Sequence, residues 1–231
     1  WSALISGYTQ QERCHEALNC FDRMMSEGLS PNSVTFICIL KACAKTGAID
    51  KGIQIHDEIL NRGLLDKDIA LGNALVDMYA KCGSLAKARQ MLDMLPVRDV
   101  ISWNTLIAVY AKSDQCEEAL NCYEKMQREG LIPDAVTFIC ILKACGNIGA
   151  IDKGKQIHES IVNTGLLEND VVLGTALVDM YAKCGMPSKA RQVLGDLSVR
   201  NTVSWNALMS GYAQQGEGHE TLDCFERMQD E

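Results

Sequence analysis

Apolar residues along this chain recur at helical spacing and are interrupted by short polar breaks. Between residues 100 and 134 the pattern predicts one helix over 101–112, a break at Ser113-Asp114-Gln115, and a second helix over 117–129. In the second helix Ala119, Leu120, Tyr123 and Met126 fall at i, i+1, i+4 and i+7, one apolar stripe on an otherwise polar cylinder. Gly130 sits just past its end and Pro133 blocks continuation, as helix C-termini favour. No segment sustains an alternation of period two, so no strand is expected. The run VTFICIL is strand-like by propensity, but its place as the first helix of a pair decides for helix.

The same pattern returns along the chain. Trp1, Trp103 and Trp205 stand 102 residues apart, and VTFICILKAC (34–43, 136–145) and ALVDMYAKCG (74–83, 176–185) recur letter for letter. A fixed long period signals one unit stacked on itself. The units run 1–32, 33–68 and 69–99, then 100–134, 135–170 and 171–201, with 202–231 beginning a third round. The full lengths are 35, 36 and 31 residues, and the first and last units are incomplete. Gly47, Gly83, Gly149 and Gly185 punctuate the breaks inside the longest and shortest units. A helix pair cannot bury its stripe alone, so the expected fold is all-α, a right-handed α-solenoid of stacked helix-turn-helix repeats. The first helix of each pair (helix A) would line the inner surface and the second (helix B) the outer. The three tryptophans are expected to pack between units.

Composition changes this picture little. No apolar run approaches the ~20 residues that span a bilayer, so no membrane partner is expected, and both ends read as cuts in a longer protein. Ten of the eleven cysteines form five pairs one period apart, none in a CxxC, and Cys224 is the third copy of Cys20. They read as small buried thiols in a reducing compartment; no metal and no cofactor is expected. His56-Asp57-Glu58 matches the H-x-E part of a zinc deaminase signature, but the chain has no P-C-x-x-C to complete it. His158 repeats His56 without the glutamate spacing, and both read as helix B surface histidines. No small-molecule substrate and no enzymatic activity is expected of this stretch.

The net charge of −8 argues at first against nucleic acid. Its distribution argues the other way. The first helices carry Lys41, Lys45, Lys81, Lys112, Lys143 and Lys183 against only Asp77 and Asp179, while the acids gather on the second helices and turns.

Taken together, SWNTLIAVYAK with EEALNCYEKMQREGLIPD, VTFICILKACGNIGAIDKGKQIHESIVNTGL, and LGTALVDMYAKCGMPSKARQVL resemble the pentatricopeptide repeat family, in the plant-type subclass that alternates P, L and S motifs. The resemblance covers the whole chain, with P units at 1–32, 100–134 and 202–231, L units at 33–68 and 135–170, and S units at 69–99 and 171–201. It implies a single-stranded RNA partner read one base per repeat, the N-terminus toward the RNA 5′ end. The readers it implies are Ser2 with Asn32, Asn73 with Asp99, Asn104 with Asp134, and Thr175 with Asn201, while Asn206 opens a further pair. By the family's code Ser or Thr with Asn favours A, and Asn with Asp favours U. The L units hold Ile37 with Asp68 and Ile139 with Asp170, and isoleucine cannot hydrogen-bond a base. The implied tract is 5′-A-n-U-U-n-A-Y-3′. Val34, Ile101, Val136, Val172 and Val203 are the implied wedges between bases, with the smaller Ala70 at the remaining unit. Lys81, Lys112 and Lys183 are implied to lie near the RNA backbone. The resemblance also implies a mitochondrial or chloroplast RNA editing or processing factor, with editing helper proteins docking at the L motifs. On residues alone, Asn73, Asn104 and Asn206 equally suit polar helix positions or caps, and Asp99, Asp134 and Asn201 equally suit turns. A helical scaffold for a protein partner remains the rival class.

Overall fold

The computed structural model describes residues 1–65, 68–168 and 170–230, and among the described residues there are fourteen α-helices and no strand. Helices of type A are α1 (Ser2–Gln10), α3 (Ser33–Thr46), α5 (Ile69–Lys81), α7 (Val100–Lys112), α9 (Ala135–Ile148), α11 (Val171–Lys183) and α13 (Thr202–Gln214). Type B helices are α2 (Cys14–Ser26), α4 (Ile49–Asn61), α6 (Leu85–Met94), α8 (Cys116–Arg128), α10 (Ile151–Thr164), α12 (Pro187–Asp196) and α14 (Gly218–Asp230). The helices expected at 101–112 and 117–129 are α7 and α8, each beginning one residue earlier.

The chain divides into two compact units, Trp1–Val109 and Tyr110–Glu231. In the first, α1, α3 and α5 pack in a row, each backed by its own B helix. In the second, α9, α11 and α13 do the same, backed by α10, α12 and α14. Each unit is an α-solenoid of stacked helix hairpins, held by the packing of each hairpin against its neighbours.

The two helix types bury different amounts of surface for a reason visible in their sequences. A B helix buries one stripe, such as Ala17, Phe21 and Met24 on α2. An A helix is flanked on both sides and backed by a B helix, so α3 buries Thr35, Phe36, Ile39, Leu40, Ala42 and Cys43. That enclosure makes the β-branched VTFICIL run helical, because packing outweighs a weak intrinsic propensity. At the other end, Gly47 and Gly149 close α3 and α9 at φ 70° and 68°, left-handed backbone that glycine adopts without penalty. Gly211 serves a different need. A Cβ there would stand 2.7 Å from the Cβ of Ala182 and 3.1 Å from its Cα, so α11 and α13 approach as closely as they do only because the side chain is absent.

Trp103 and Trp205 are buried, as expected of packing residues, but Trp1 is not. It precedes α1 at the end of the first stack, where no helix covers its outer side. Its indole N–H donates to Glu27 at 3.1 Å and the Arg23 guanidinium lies over its ring. Every cysteine is a free thiol and none is exposed. Burial pushes the Cys43 and Cys145 thiols up to about 12, so they stay protonated and inert.

Candidate nucleic-acid interface

Every unit boundary falls on a short polar residue that caps the next A helix. Asn32 accepts from the Thr35 amide, Asp68 from Leu71, Asp134 from Thr137, Asp170 from Val172 and Leu173, and Asn201 from Ser204. Asp99 accepts from the Ser102 amide at 2.8 Å, while the Ser102 hydroxyl accepts from the Asp99 amide at 2.9 Å. These side chains therefore satisfy helix N-termini that would otherwise leave amides unpaired. Such a cap occupies one side-chain oxygen and leaves the other heteroatom for a second partner.

At Asp99 that second partner is visible. The Asn73 amide, 26 positions earlier on α5, donates to Asp99 Oδ1 at 3.1 Å and to Oδ2 at 3.2 Å. Asn73 Oδ1 is buried and has no hydrogen-bond partner among the described residues. Ser2 reaches Asn32 through an intermediary: its hydroxyl lies 2.8 Å from that of Thr35, which donates to Asn32 Oδ1. The Thr35 proton is thus committed, so Ser2 is the donor in the first bond. Thr175 is not joined to Asn201; its hydroxyl donates to the Val171 carbonyl one turn back. Asn104 is a buried polar residue of α7, Asp134 is exposed at the start of α9, and Asn206 is exposed on α13.

The five residues named as wedges share one condition. Val34, Ile101, Val136, Val172 and Val203 are all more than half exposed, although each is β-branched and apolar. Such a series at one register of A helices is a surface feature: the residues one turn further on the same face, Ile37, Thr105, Ile139, Thr175 and Asn206, are not buried either.

Two grooves, one in each compact unit, run along these helices. The first, about 310 Å³, is lined by Ile37 and Lys41 of α3, Ala70, Asn73 and Asp77 of α5, and Ile101 of α7. The second has the same volume and the equivalent lining: Ile139 and Lys143 of α9, Val172, Thr175 and Asp179 of α11, and Val203 of α13. In each groove the residue named as a reader, Asn73 or Thr175, is lined up with the isoleucine of the preceding repeat and the residue named as a wedge in the following one. Lys41 and Lys143 enter the site here. In the sequence they are two of six A-helix lysines, and only their one-turn spacing from Ile37 and Ile139 sets them apart.

The lysines named for backbone contact are not equivalent. Lys81 is ion-paired with Asp77 at 2.9 Å and Lys183 with Asp179 at 2.7 Å, each one turn apart on its own helix. Lys112 is exposed at the end of α7. Lys45, also on an A helix, is paired with Glu12.

The histidines need correction. His56 and His158 are half-buried rather than free on the surface, with Nδ1 at 2.8 and 2.9 Å from the hydroxyls of Tyr79 and Tyr181. Each ties helix B of one repeat to helix A of the next, α4 to α5 and α10 to α11, edge-on to the tyrosine ring. Burial, more than any neighbouring charge, holds both imidazoles below their ordinary pKa. An imidazole held neutral in the fold and freer to protonate when unfolded contributes stability that is complete above about pH 6.5 and is lost as the pH falls below it. The denaturation midpoint is therefore expected to drop between about pH 7.5 and 5.5. The double variant His56→Gln/His158→Gln should show a shallower drop in urea titrations, and an unchanged slope would rule the two histidines out. Among the described residues no cluster of His, Cys, Asp and Glu could hold a metal ion, and no helix is long and apolar enough to cross a membrane.

Comparison with known proteins gives a consistent result. The PPR repeat family profile matches residues 1–45 and 98–147, and the PPR repeat profile matches 34–64, 73–100, 175–201 and 203–231. A pentatricopeptide repeat-containing protein of Arabidopsis thaliana is 39% identical over 228 residues, covering 99% of this chain and 31% of its own length. A chloroplastic one from the same plant is 37% identical over 240 residues, covering 99% of this chain and 27% of its own. A mitochondrial one is 34% identical over 229 residues, with coverages of 99% and 33%. This chain thus spans about a third of the length of these relatives. Among solved structures, the pentatricopeptide repeat protein PPR10 in complex with an 18-nt psaJ RNA element superimposes with a TM-score of 0.83 at 22% identity, over 98% of this chain and 34% of that one.

Proposed function

Because this chain belongs to the pentatricopeptide repeat family, we propose that it is a single-stranded RNA-binding module in which each P and S repeat reads one base. The observation that carries this reading is the Asn73–Asp99 pair, drawn together across 26 positions beside an open groove with exposed aliphatic lips. A carboxylate that already caps a helix and receives an amide still has lone pairs to accept the N3–H of uracil, and an amide beside it can donate to a uracil carbonyl. The exposed side chains of Val34, Ile101, Val136, Val172 and Val203 are suited to slide between neighbouring bases. The pairs are Ser2 with Asn32, Asn73 with Asp99, Asn104 with Asp134, and Thr175 with Asn201, with Asn206 opening the next. The tract is 5′-A-n-U-U-n-A-Y-3′, with the L units silent. The P, L, S succession and the organellar names of the relatives support a mitochondrial or chloroplast editing or processing factor whose chemistry is supplied elsewhere.

Selection of bound RNAs from a random single-stranded pool tests the reading. Enrichment of the tract, with the two adjacent uridines as its strongest positions, is the expected result. Recovery of unenriched sequence would sink the code, and recovery of no RNA at low salt would sink the function.

A further inference from the structure

We infer that Lys41 and Lys143, on the non-reading L units, are the phosphate-contacting cations of the two grooves, in place of Lys81 and Lys183. The inference rests on the RNA-binding reading above. Both lysines line the groove that also holds the S-unit reader, and both are exposed. They occupy the same place in the two compact units, one helical turn beyond an isoleucine that cannot recognise a base. No ion pair engages either one among the described residues.

Charge bookkeeping separates them from the S-unit lysines. The carboxylates of Asp77 and Asp179 face the same grooves, and each is held by the lysine one turn ahead on its own helix. Asp77 with Lys81, and Asp179 with Lys183, therefore present no net charge to a phosphate. A lysine drawn away toward RNA would leave a half-buried carboxylate unpaired beside the polyanion. That arrangement leaves Lys41 and Lys143 as the uncompensated positive charge of each groove. An L unit would thus contribute grip without contributing sequence, which gives a repeat with an unreadable isoleucine a task in the same complex. A single-stranded backbone passing the reader of either groove would meet the ammonium group of Lys41 or Lys143, which line the same grooves.

The test measures binding of the whole chain to a random single-stranded RNA pool across a salt series. Replacing both L-unit cations (Lys41→Gln with Lys143→Gln) should flatten the log–log salt slope by about 1.4, at ~0.7 for each phosphate no longer neutralised on a single strand. Affinity near 0.1 M salt should fall on the order of tenfold. The base preferences of the selected tract should not change. The matched control removes each neutral pair whole (Asp77→Asn with Lys81→Gln, Asp179→Asn with Lys183→Gln) and should leave the slope where it was. Circular dichroism melts establish that both variants fold. If the slope falls in the control and holds in Lys41→Gln/Lys143→Gln, the assignment is overturned while RNA binding stands. If the unmodified chain retains no RNA at low salt, this assignment and the reading beneath it fall together.

Discussion

Replacing Trp103 with alanine is expected to cost about 3–5 kcal/mol, the range for emptying a large aromatic site in a core. The indole is 1% exposed and lies on α7 one turn from Leu106 and Ile107, both fully buried. A stacked fold closes such a cavity poorly, because the helices around it are held in place by their own neighbours. Trp1→Ala supplies the contrast. That ring is partly exposed, so its loss should cost only about 1–2 kcal/mol, the scale of its bond to Glu27 and the Arg23 guanidinium over its ring. Urea titrations of the two variants side by side decide the matter. Similar midpoints would mean that Trp103 is no more a packing residue than Trp1.

A second result of comparable weight is expected from Asp99→Asn. The substitution keeps an oxygen for the Ser102 amide and so preserves the cap, since Asn and Asp serve that position equally well. It exchanges the remaining acceptor for an N–H donor. Uracil presents N3–H at the centre of its pairing edge, whereas cytosine presents a bare N3 acceptor there. The preference at this base should therefore turn from uracil toward cytosine, by roughly tenfold or more, because a mismatched polar edge leaves buried groups unpaired at about 1–3 kcal/mol each. Asn73 can follow the change by turning its amide over, which would also release the oxygen now buried without a partner. Filter binding with RNAs differing only at that position measures the switch. A preference that stays on uracil would show that Asp99 is not a reader.

The succession of helices was legible because its signal is redundant: stripe, break, glycine and a letter-for-letter repeat all mark the same boundaries. The strand-like VTFICIL is the one local conflict, and its position in the period resolves it. The site was legible less evenly. The wedge residues stand out as apolar residues at one register, and exposure is the further fact the structure supplies. The caps are written in the chain as Asp-Val-Ile-Ser at 99–102 and Asn-Thr-Val-Ser at 201–204, where a short polar residue precedes a hydroxyl by three positions. Asp and Asn suit turns as readily as caps, so residue type by itself does not tell the two apart. Counting charges along the A helices misses that Asp77 and Asp179 neutralise specific lysines, because a sum does not show which acid faces which base. The His56–Tyr79 and His158–Tyr181 bonds join residues 23 apart, a separation with no signature in a single sequence.

The caps at the unit boundaries set a limit on what this scaffold can be taught to recognise. All six closing positions hold Asn or Asp, including Asp68 and Asp170 in units whose isoleucine has nothing to read. Folding accounts for part of that narrow vocabulary, since helix N-termini favour Asn and Asp along with Ser and, less strongly, Thr and Gly. Any change of target made at the last residue of a repeat must therefore be spelled with letters that also start a helix. On the proposed reading, retargeting has more freedom at the opposite partner, at Asn73 or Thr175, where no cap is at stake.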